Sequence, residues 1–381
     1  MSVTAAHGFV AGGVASGIKS TEALDLAVVD AGRPVPAAGV FTRNIVAAPP
    51  VHLSREHLLD GTARAVVLSS GCANAATGPV GIAAARRTAE LVADRLGCRP
   101  ADVFVCSTGP IGEVVPVDRI ANGLKRLALS SDGGTDAAEA ILTTDSHSKE
   151  ATVTAGGFTV GGMAKGAGMI RPDMSTMLAV LTTDAVVSND TLDRVLAGAV
   201  ARSFNALDID GCESTNDSVI LLASGASGVT PDESAFSGAV EQVCRNLTHQ
   251  MAADAEGASR VVIIDLAGAT DDGAALGLAR AMADSALVRS AFYGADPNWG
   301  RLLAAMGASR IPFDPDDTSI AFAGIVVADA GTAVAADHAI VSEKLAGDFT
   351  VTVSVGNGPG KVSLITPDLT PDYVRFNGER S

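Results

Sequence analysis

The sequence predicts an α+β fold, and three observations carry that reading. Val- and Ile-rich runs of strand length recur along the chain. Helical periodicity fills many of the stretches between them. The two alternate without the strict strand–helix–strand rhythm of a doubly wound parallel sheet. The 381 residues are 47% apolar and only 18% charged, enough for a substantial core in one large or two smaller domains and unlike a disordered chain. Glycine is abundant at 41 residues and aromatics are scarce at 4%, which implies tight turns and a core packed with Ala, Val and Leu.

Taken in order, residues 65–68 and 103–106 read as strands flanking a helix over 81–96, where Ala, Leu and Val recur at helical spacing. A second helix is expected over 117–129. Residues 151–160 read as two strands turned at Gly156-Gly157, leading into a glycine-rich segment. The apolar run 177–181 reads as a buried strand. A helix over 191–204 follows, with Asn189 or Asp190 as its cap. Residues 218–222 form a strand and 235–255 a long helix stopped at Gly257. The pattern then predicts a strand over 261–266, a helix over 272–287, and late strands over 320–327 and 350–355. There is no Pro/Ser-rich linker. The tetrapeptide Leu-Thr-Thr-Asp occurs at 142–145 and 181–184, a repeat short enough for chance.

Charge and cysteine usage exclude several function classes. A net charge of −16 repels phosphate backbones and argues against nucleic-acid binding, its ordinary meaning being solubility. The five cysteines (Cys72, Cys98, Cys106, Cys212, Cys244) form no CxxC pair and are odd in number, so neither a disulfide framework nor a structural zinc site is expected, and a reducing cytoplasm fits. The six histidines lack ligand spacing, so no metal site is expected. Residues 1–20 have no basic region ahead of a weakly apolar stretch and do not read as a signal peptide. No apolar run reaches the ~18 residues of a membrane span.

The chemistry concentrates in residues 161–184, GGMAKGAGMIRPDMSTMLAVLTTD. Ser175-Thr176 stands immediately before the apolar strand and after a glycine-rich turn. A threonine hydroxyl is a poor nucleophile without a base beside it. If the threonine becomes an N-terminus, its own α-amine, with a reference pKa near ~8, takes the hydroxyl proton. The chain can expose that amine itself: the hydroxyl attacks the preceding carbonyl, and the resulting ester is hydrolysed. Gly161, Gly162, Gly166 and Gly168 supply the backbone freedom this demands. Lys165, eleven residues before Thr176, is an ammonium in a stretch poor in charge, suited to an α-carboxylate or an acyl oxygen.

Three further places invite attention. Thr108-Gly109, in the string Cys106-Ser-Thr-Gly-Pro-Ile-Gly112 after a strand, can offer a hydroxyl and a backbone N–H to a developing oxyanion, although a plain turn is the commoner meaning of such a pair. Thr143, Thr144 and Asp145 read, taken alone, as polar residues capping a strand. Glu256 sits at the end of the long expected helix, where a carboxylate meets the negative end of the dipole, a mild misfit that points toward a functional role.

These strings together resemble the ArgJ family of glutamate N-acetyltransferases, also called ornithine acetyltransferases. The match runs through Gly-Met-Ala-Lys-Gly-Ala-Gly-Met-Ile, Pro172, Met174-Ser-Thr-Met-Leu178 and Thr182-Thr-Asp-Ala185, with Ser175 where the family usually has Ala. It continues in Val40-Phe-Thr-Arg-Asn44, Asp208-Ile-Asp210, Ser214-Thr-Asn-Asp217 and Asp296-Pro-Asn-Trp-Gly-Arg301, and it covers nearly the whole chain. The resemblance implies a DmpA/ArgJ-like layered sandwich, with β-sheets packed between helices. It implies self-cleavage between Ser175 and Thr176 into an α piece (1–175) and a β piece (176–381), assembled as α2β2. It implies Thr176 as nucleophile and Thr108 with Gly109 as oxyanion hole. Thr144, with Thr143 one position before it as the alternative, and Lys165, Thr176, Glu256 and Asn377 become substrate-binding residues. The family's last binding position would fall one residue past Ser381, so Ser381 or its carboxylate is the candidate there. The remaining strings take supporting roles.

The implied activity is acetyl transfer from N2-acetyl-L-ornithine to L-glutamate through an acetyl-threonine, within arginine biosynthesis. No cofactor is implied. Some members of the family also use acetyl-CoA, and the order of Gly and Lys in 161–168 is not that of a P-loop, which leaves acetyl-CoA open as a co-substrate. A self-processing aminopeptidase or amidase of the same fold is the alternative enzyme, distinguished by whether glutamate raises turnover. An uncut binding homologue would run as a single chain on a denaturing gel.

Overall fold

The computed structural model describes residues 2–171 and 177–379. It divides into two compact units, Met1–Asn205 with Cys212–Met251, and Ala206–Gly211 with Ala252–Ser381.

In the first unit the elements run β1 (Val10–Val14), β2 (Leu26–Phe41), α1 (Pro49–His57), β3 (Thr62–Ser70), α2 (Gly78–Leu96), β4 (Val103–Thr108), α3 (Val117–Arg126), α4 (Gly134–Ala140), β5 (Lys149–Ala155), β6 (Phe158–Lys165), β7 (Leu178–Thr183), α5 (Asn189–Ala201) and β8 (Ser218–Ala223). The helix α6 (Glu233–Ala253) follows. The strands make one sheet in the order β4-β3-β2-β8-β7-β6-β5, with β1 also paired to β2. Strand periodicity assigns its two faces to two cores. Val66, Leu68, Phe104 and Cys106 pack with Ala137, Ala138 and Ile141 around α4. Ala65, Val67, Val103 and Val105 pack against Ala85, Ala89 and Val92 of α2 and Ile120 and Leu124 of α3. Every residue of β4, β7 and β8 is buried, which is why these strands read as continuous apolar runs rather than as alternation.

The second unit contains β9 (Val261–Gly268), α7 (Asp272–Ala283), α8 (Ala286–Tyr293), α9 (Trp299–Ala308), β10 (Ser319–Phe322), β11 (Ile325–Asp329), β12 (Thr332–Ala333), α10 (His338–Lys344), β13 (Phe349–Ser354), β14 (Gly358–Pro367) and α11 (Pro371–Glu379). Its sheet has the order β12-β11-β10-β13-β9-β14. The core joins Ile264, Leu266 and Val353 of the sheet to Leu278, Met282, Phe292 and Met306 of the helices.

The expected α+β class is observed, with four local corrections. The cap of α5 is Ser188, whose hydroxyl accepts the N–H of Thr191, rather than Asn189 or Asp190. The helix expected over 272–287 is two helices, because Ser285 caps a new one through the N–H of Val288. The strand expected over 320–327 is a hairpin, turned where Ala323 and Gly324 adopt φ of 47° and 80°. The helix α6 stops at Ala253, so Glu256 lies in a turn beyond it and the dipole argument does not apply.

The expected piece boundary does not follow the two units. It lies in residues 172–176, outside the described residues, between β6 and β7. Those strands pair antiparallel from Val160↔Thr183 to Lys165↔Leu178, so the two expected pieces would share one sheet.

Candidate active site

Ser175, Thr176 and Ser381 lie outside the described residues, and Met177, which follows Thr176, is described. Met177 is clamped at both of its backbone groups. Its N–H donates to Asp217 Oδ1 at 2.8 Å, and its carbonyl accepts the Ser218 N–H at 3.3 Å. The parallel pairing of β7 with β8, beginning at Leu178↔Ser218, sets this register.

Thr108 ends β4 and Lys165 ends β6, and the sheet turns both ends to the same place. Lys165 is 1% exposed and its Nζ donates to Thr108 Oγ1 at 3.4 Å. That bond occupies a lone pair of the hydroxyl and leaves its hydrogen to point elsewhere. Beyond Thr108 the chain turns through Gly109 at φ +136°, where a Cβ would lie 2.5 Å from Cys72 N. Only glycine permits that approach. The Thr108 carbonyl is fixed in turn by the N–H groups of Gly71 and Cys72 at 2.9 and 3.0 Å.

Asp145 organises the charges. Its side chain is fully buried beside Lys149, 2.7 Å from Oδ1, and Lys165, 3.9 Å from Oδ2. It also accepts the N–H of Gly166 at 2.6 Å and of Thr143 at 3.1 Å. Burial alone would raise its pKa, but the two ammonium groups and these donors outweigh it and hold Asp145 at about 2. A permanent carboxylate beneath Lys165 offsets the cost of burying that ammonium.

Two residues of the Ser214–Asp217 string, read from sequence only as supporting, brace both sides of this centre. Asn216 Nδ2 donates to Ala73 O at 2.7 Å and to Ser107 O at 2.9 Å, fixing the residue before Thr108. Asp217 fixes the residue after Thr176. Burial drives the Asp217 pKa well above the usual carboxylate range, against the opposing Met177 N–H, the Lys165 charge and the Ser214 side chain. Thr42, from another string singled out in the sequence, joins them: its N–H donates to Asp217 O at 3.0 Å and its hydroxyl to Ser214 O at 2.7 Å. Spacing along the chain carries no sign of these pairings.

An open cavity of about 700 Å³ has Lys19, Leu24, Leu142 and Thr143 among its walls, and it is linked to Asp145 through the Thr143 N–H. Thr143 lines it, and Thr144 beside it is partly buried. Among the described residues no cluster of three His, Cys, Asp or Glu could hold a metal ion, and no described helix is long and apolar enough to cross a membrane.

The other two candidates belong to the second unit and meet each other there. Asn377 Nδ2, on α11, donates to Glu256 Oε2 at 3.1 Å. Gly257, at φ +65°, makes this possible, since a Cβ there would lie 2.3 Å from Tyr373 N. Thr370 ties the turn to α11 by donating to Gly257 O and accepting the Tyr373 N–H at 3.1 Å.

Residues 10–381 match the sequence profile of the ArgJ family. The arginine biosynthesis bifunctional protein ArgJ of Thermobifida fusca is 47% identical over 384 residues, covering 100% of both chains. A solved arginine biosynthesis bifunctional protein from Bacillus halodurans is 32% identical at a TM-score of 0.50, and the match covers 52% of this chain and 96% of that one. The ornithine acetyltransferase of Mycobacterium tuberculosis, solved with ornithine, is 47% identical over 45% of this chain and 94% of that one, at a TM-score of 0.44.

Proposed function

The chain belongs to the ArgJ family, and from that premise we propose how its site works as an ornithine acetyltransferase of arginine biosynthesis. The observation that carries the proposal is the junction of Thr108, Gly109 and Lys165 beside the strand that Thr176 precedes.

The chain cuts itself between Ser175 and Thr176. The Thr176 hydroxyl then attacks the acetyl carbonyl of N2-acetyl-L-ornithine and passes its proton to the free α-amine. Negative charge gathers on the former carbonyl oxygen. The Thr108 hydroxyl, oriented by Lys165, and the Gly109 N–H donate to it. Collapse breaks the carbon–nitrogen bond, the leaving nitrogen takes the proton from the α-ammonium, and ornithine departs from acetyl-Thr176. L-Glutamate reverses the sequence: its amine attacks the ester, and N-acetyl-L-glutamate leaves as the Thr176 hydroxyl regains its proton.

Lys165 and Thr144 serve the α-carboxylate end of the substrate in this scheme. Glu256 with Asn377 serves the ammonium of ornithine, and Ser381 completes that end. The pieces stay together as an α2β2 assembly. The matched Bacillus halodurans chain corresponds to 52% of this one, which supports a protein in two pieces of similar length. Acetyl-CoA is proposed as a second acetyl donor, in keeping with the relatives' description as bifunctional.

The test is the intact mass of the denatured protein together with an acceptor assay. Two fragments divided at Ser175/Thr176, and acetyl transfer from acetylornithine that depends on glutamate, are expected. A single full-length mass, or release of free acetate at a rate indifferent to glutamate, overturns the proposal.

A further inference from the structure

The acetyl acceptor and donor present opposite charges at their far ends. Glutamate carries a side-chain carboxylate where acetylornithine carries an ammonium. One cation beside Thr108 answers the carboxylate that both share, and Glu256 suits the ammonium alone. A pocket that serves glutamate therefore needs a second cation.

The chain has six lysines, and one that no functional string includes, Lys19, faces the cavity that Thr143 lines. Its loop is held rigidly. The buried Asp25 carboxylate accepts the N–H groups of Ser16, Gly17 and Lys19 at 2.6, 3.0 and 3.0 Å. The aliphatic stem lies across Gly71, where a Cβ would come within 3.0 Å of Lys19 Cγ. Gly71 is the residue whose N–H fixes the Thr108 carbonyl, so a single glycine separates the stem from the oxyanion pair. The Lys19 ammonium donates to Leu24 O at 2.8 Å, its one hydrogen bond among the described residues, which leaves N–H groups for a ligand. Burial lowers its pKa, partly offset by Asp25 and Asp145, and Lys165 lowers it further. An arriving anion offsets both unfavourable effects by its attraction for the ammonium. Glu22 and Glu139 also line the cavity but are exposed, where solvent and salt screen them.

We propose that Lys19 binds the side-chain carboxylate of the acetyl acceptor and so selects glutamate. The inference rests on the acetyltransferase reading above. It makes Lys19 a specificity residue for the second half of the cycle.

Glutamine, nearly isosteric with glutamate and uncharged at its end, separates charge recognition from shape. The wild-type enzyme is expected to prefer glutamate. Lys19→Met is expected to raise the glutamate KM by about tenfold or more, the worth of a lost charge-assisted hydrogen bond, with glutamine little changed, so that the preference collapses. Lys19→Arg keeps it. The burst of ornithine released from acetylornithine before an acceptor is added should fall less than the glutamate step. An unchanged glutamate-to-glutamine ratio in Lys19→Met, an equal rise in the KM values of acetylornithine and glutamate, or a wild-type enzyme indifferent between the two acceptors overturns the inference. Should Lys19→Met fail to fold, loss of the preference in Lys19→Gln carries the same meaning. A wild-type enzyme that moves no acetyl group from acetylornithine sinks the underlying reading instead, a distinct outcome.

Discussion

Lys165 and Thr108, fifty-seven residues apart in the chain, are joined by a hydrogen bond of 3.4 Å between Nζ and Oγ1. The bond gives the threonine hydroxyl a direction as well as a place. Thr108→Val keeps the shape and removes the donor, and kcat is expected to fall by roughly 10²–10³, the usual cost of one oxyanion donor. A fall of less than threefold in steady-state assays would remove Thr108 from the oxyanion hole.

Gly109→Ala tests the other half of the pair. The new Cβ meets Cys72 N at 2.5 Å in a left-handed backbone conformation. Strain of about 1–3 kcal/mol from the conformation alone is expected, with activity lost through displacement of the N–H. Denaturant unfolding and a transfer assay check the two effects separately.

Asp145 gives the protein an acid-sensitive joint. Its pKa of about 2 lies below that of the unfolded chain, near ~3.9. The stability it adds is complete above the unfolded value and is lost as pH falls toward the folded one. Asp145→Asn is expected to cost about 3–5 kcal/mol at neutral pH by leaving buried ammonium groups without their carboxylate. It should also flatten the acid limb of a plot of Tm against pH.

Asp217 predicts the opposite slope. Its pKa is raised in the folded protein, so its contribution is complete below the unfolded carboxylate pKa and is lost as pH rises toward the folded value. Asp217→Asn keeps an acceptor for the Met177 N–H and no longer ionises. Its Tm relative to wild type should therefore improve as pH rises, which thermal scans across pH would show. A constant difference would mean that Asp217 does not titrate in that range.

Thr176→Ala is expected to remain one chain and to be inactive, as read by intact mass and transfer assay. Glu256→Ala should still cut itself and show an acetylornithine KM raised by about tenfold or more, the loss of one charge-assisted contact.

Chemical identity was legible in the sequence wherever neighbouring residues carried it together. The Thr108-Gly109 pair and Lys165 stood out in this way, and the structure brings them together. Relationships formed by the sheet were not legible. Asp217 reaches Met177 only because β8 lies parallel beside β7, and Asn216 reaches Ser107 across the same sheet. The long strand β2 escaped notice because Asp30, Gly32 and Pro34 interrupt its apolar pattern, where its pairing with β3 shifts register between Asp30 and Val35. Ser285 concealed a helix boundary because a serine within a helical pattern and a serine that caps a new helix look alike until the backbone is seen.

The pairing of β6 with β7 across the proposed cut has a consequence for how a processed molecule would come to exist. Each half, made alone, would present a long apolar strand edge with no partner, the kind of surface that aggregates. If the chain cuts itself as proposed, the uncut precursor would act as its own folding template and would guarantee equal numbers of both halves. Thermal unfolding of the mature form should then be harder to reverse than that of an uncut variant, because recovery has become an encounter between two chains.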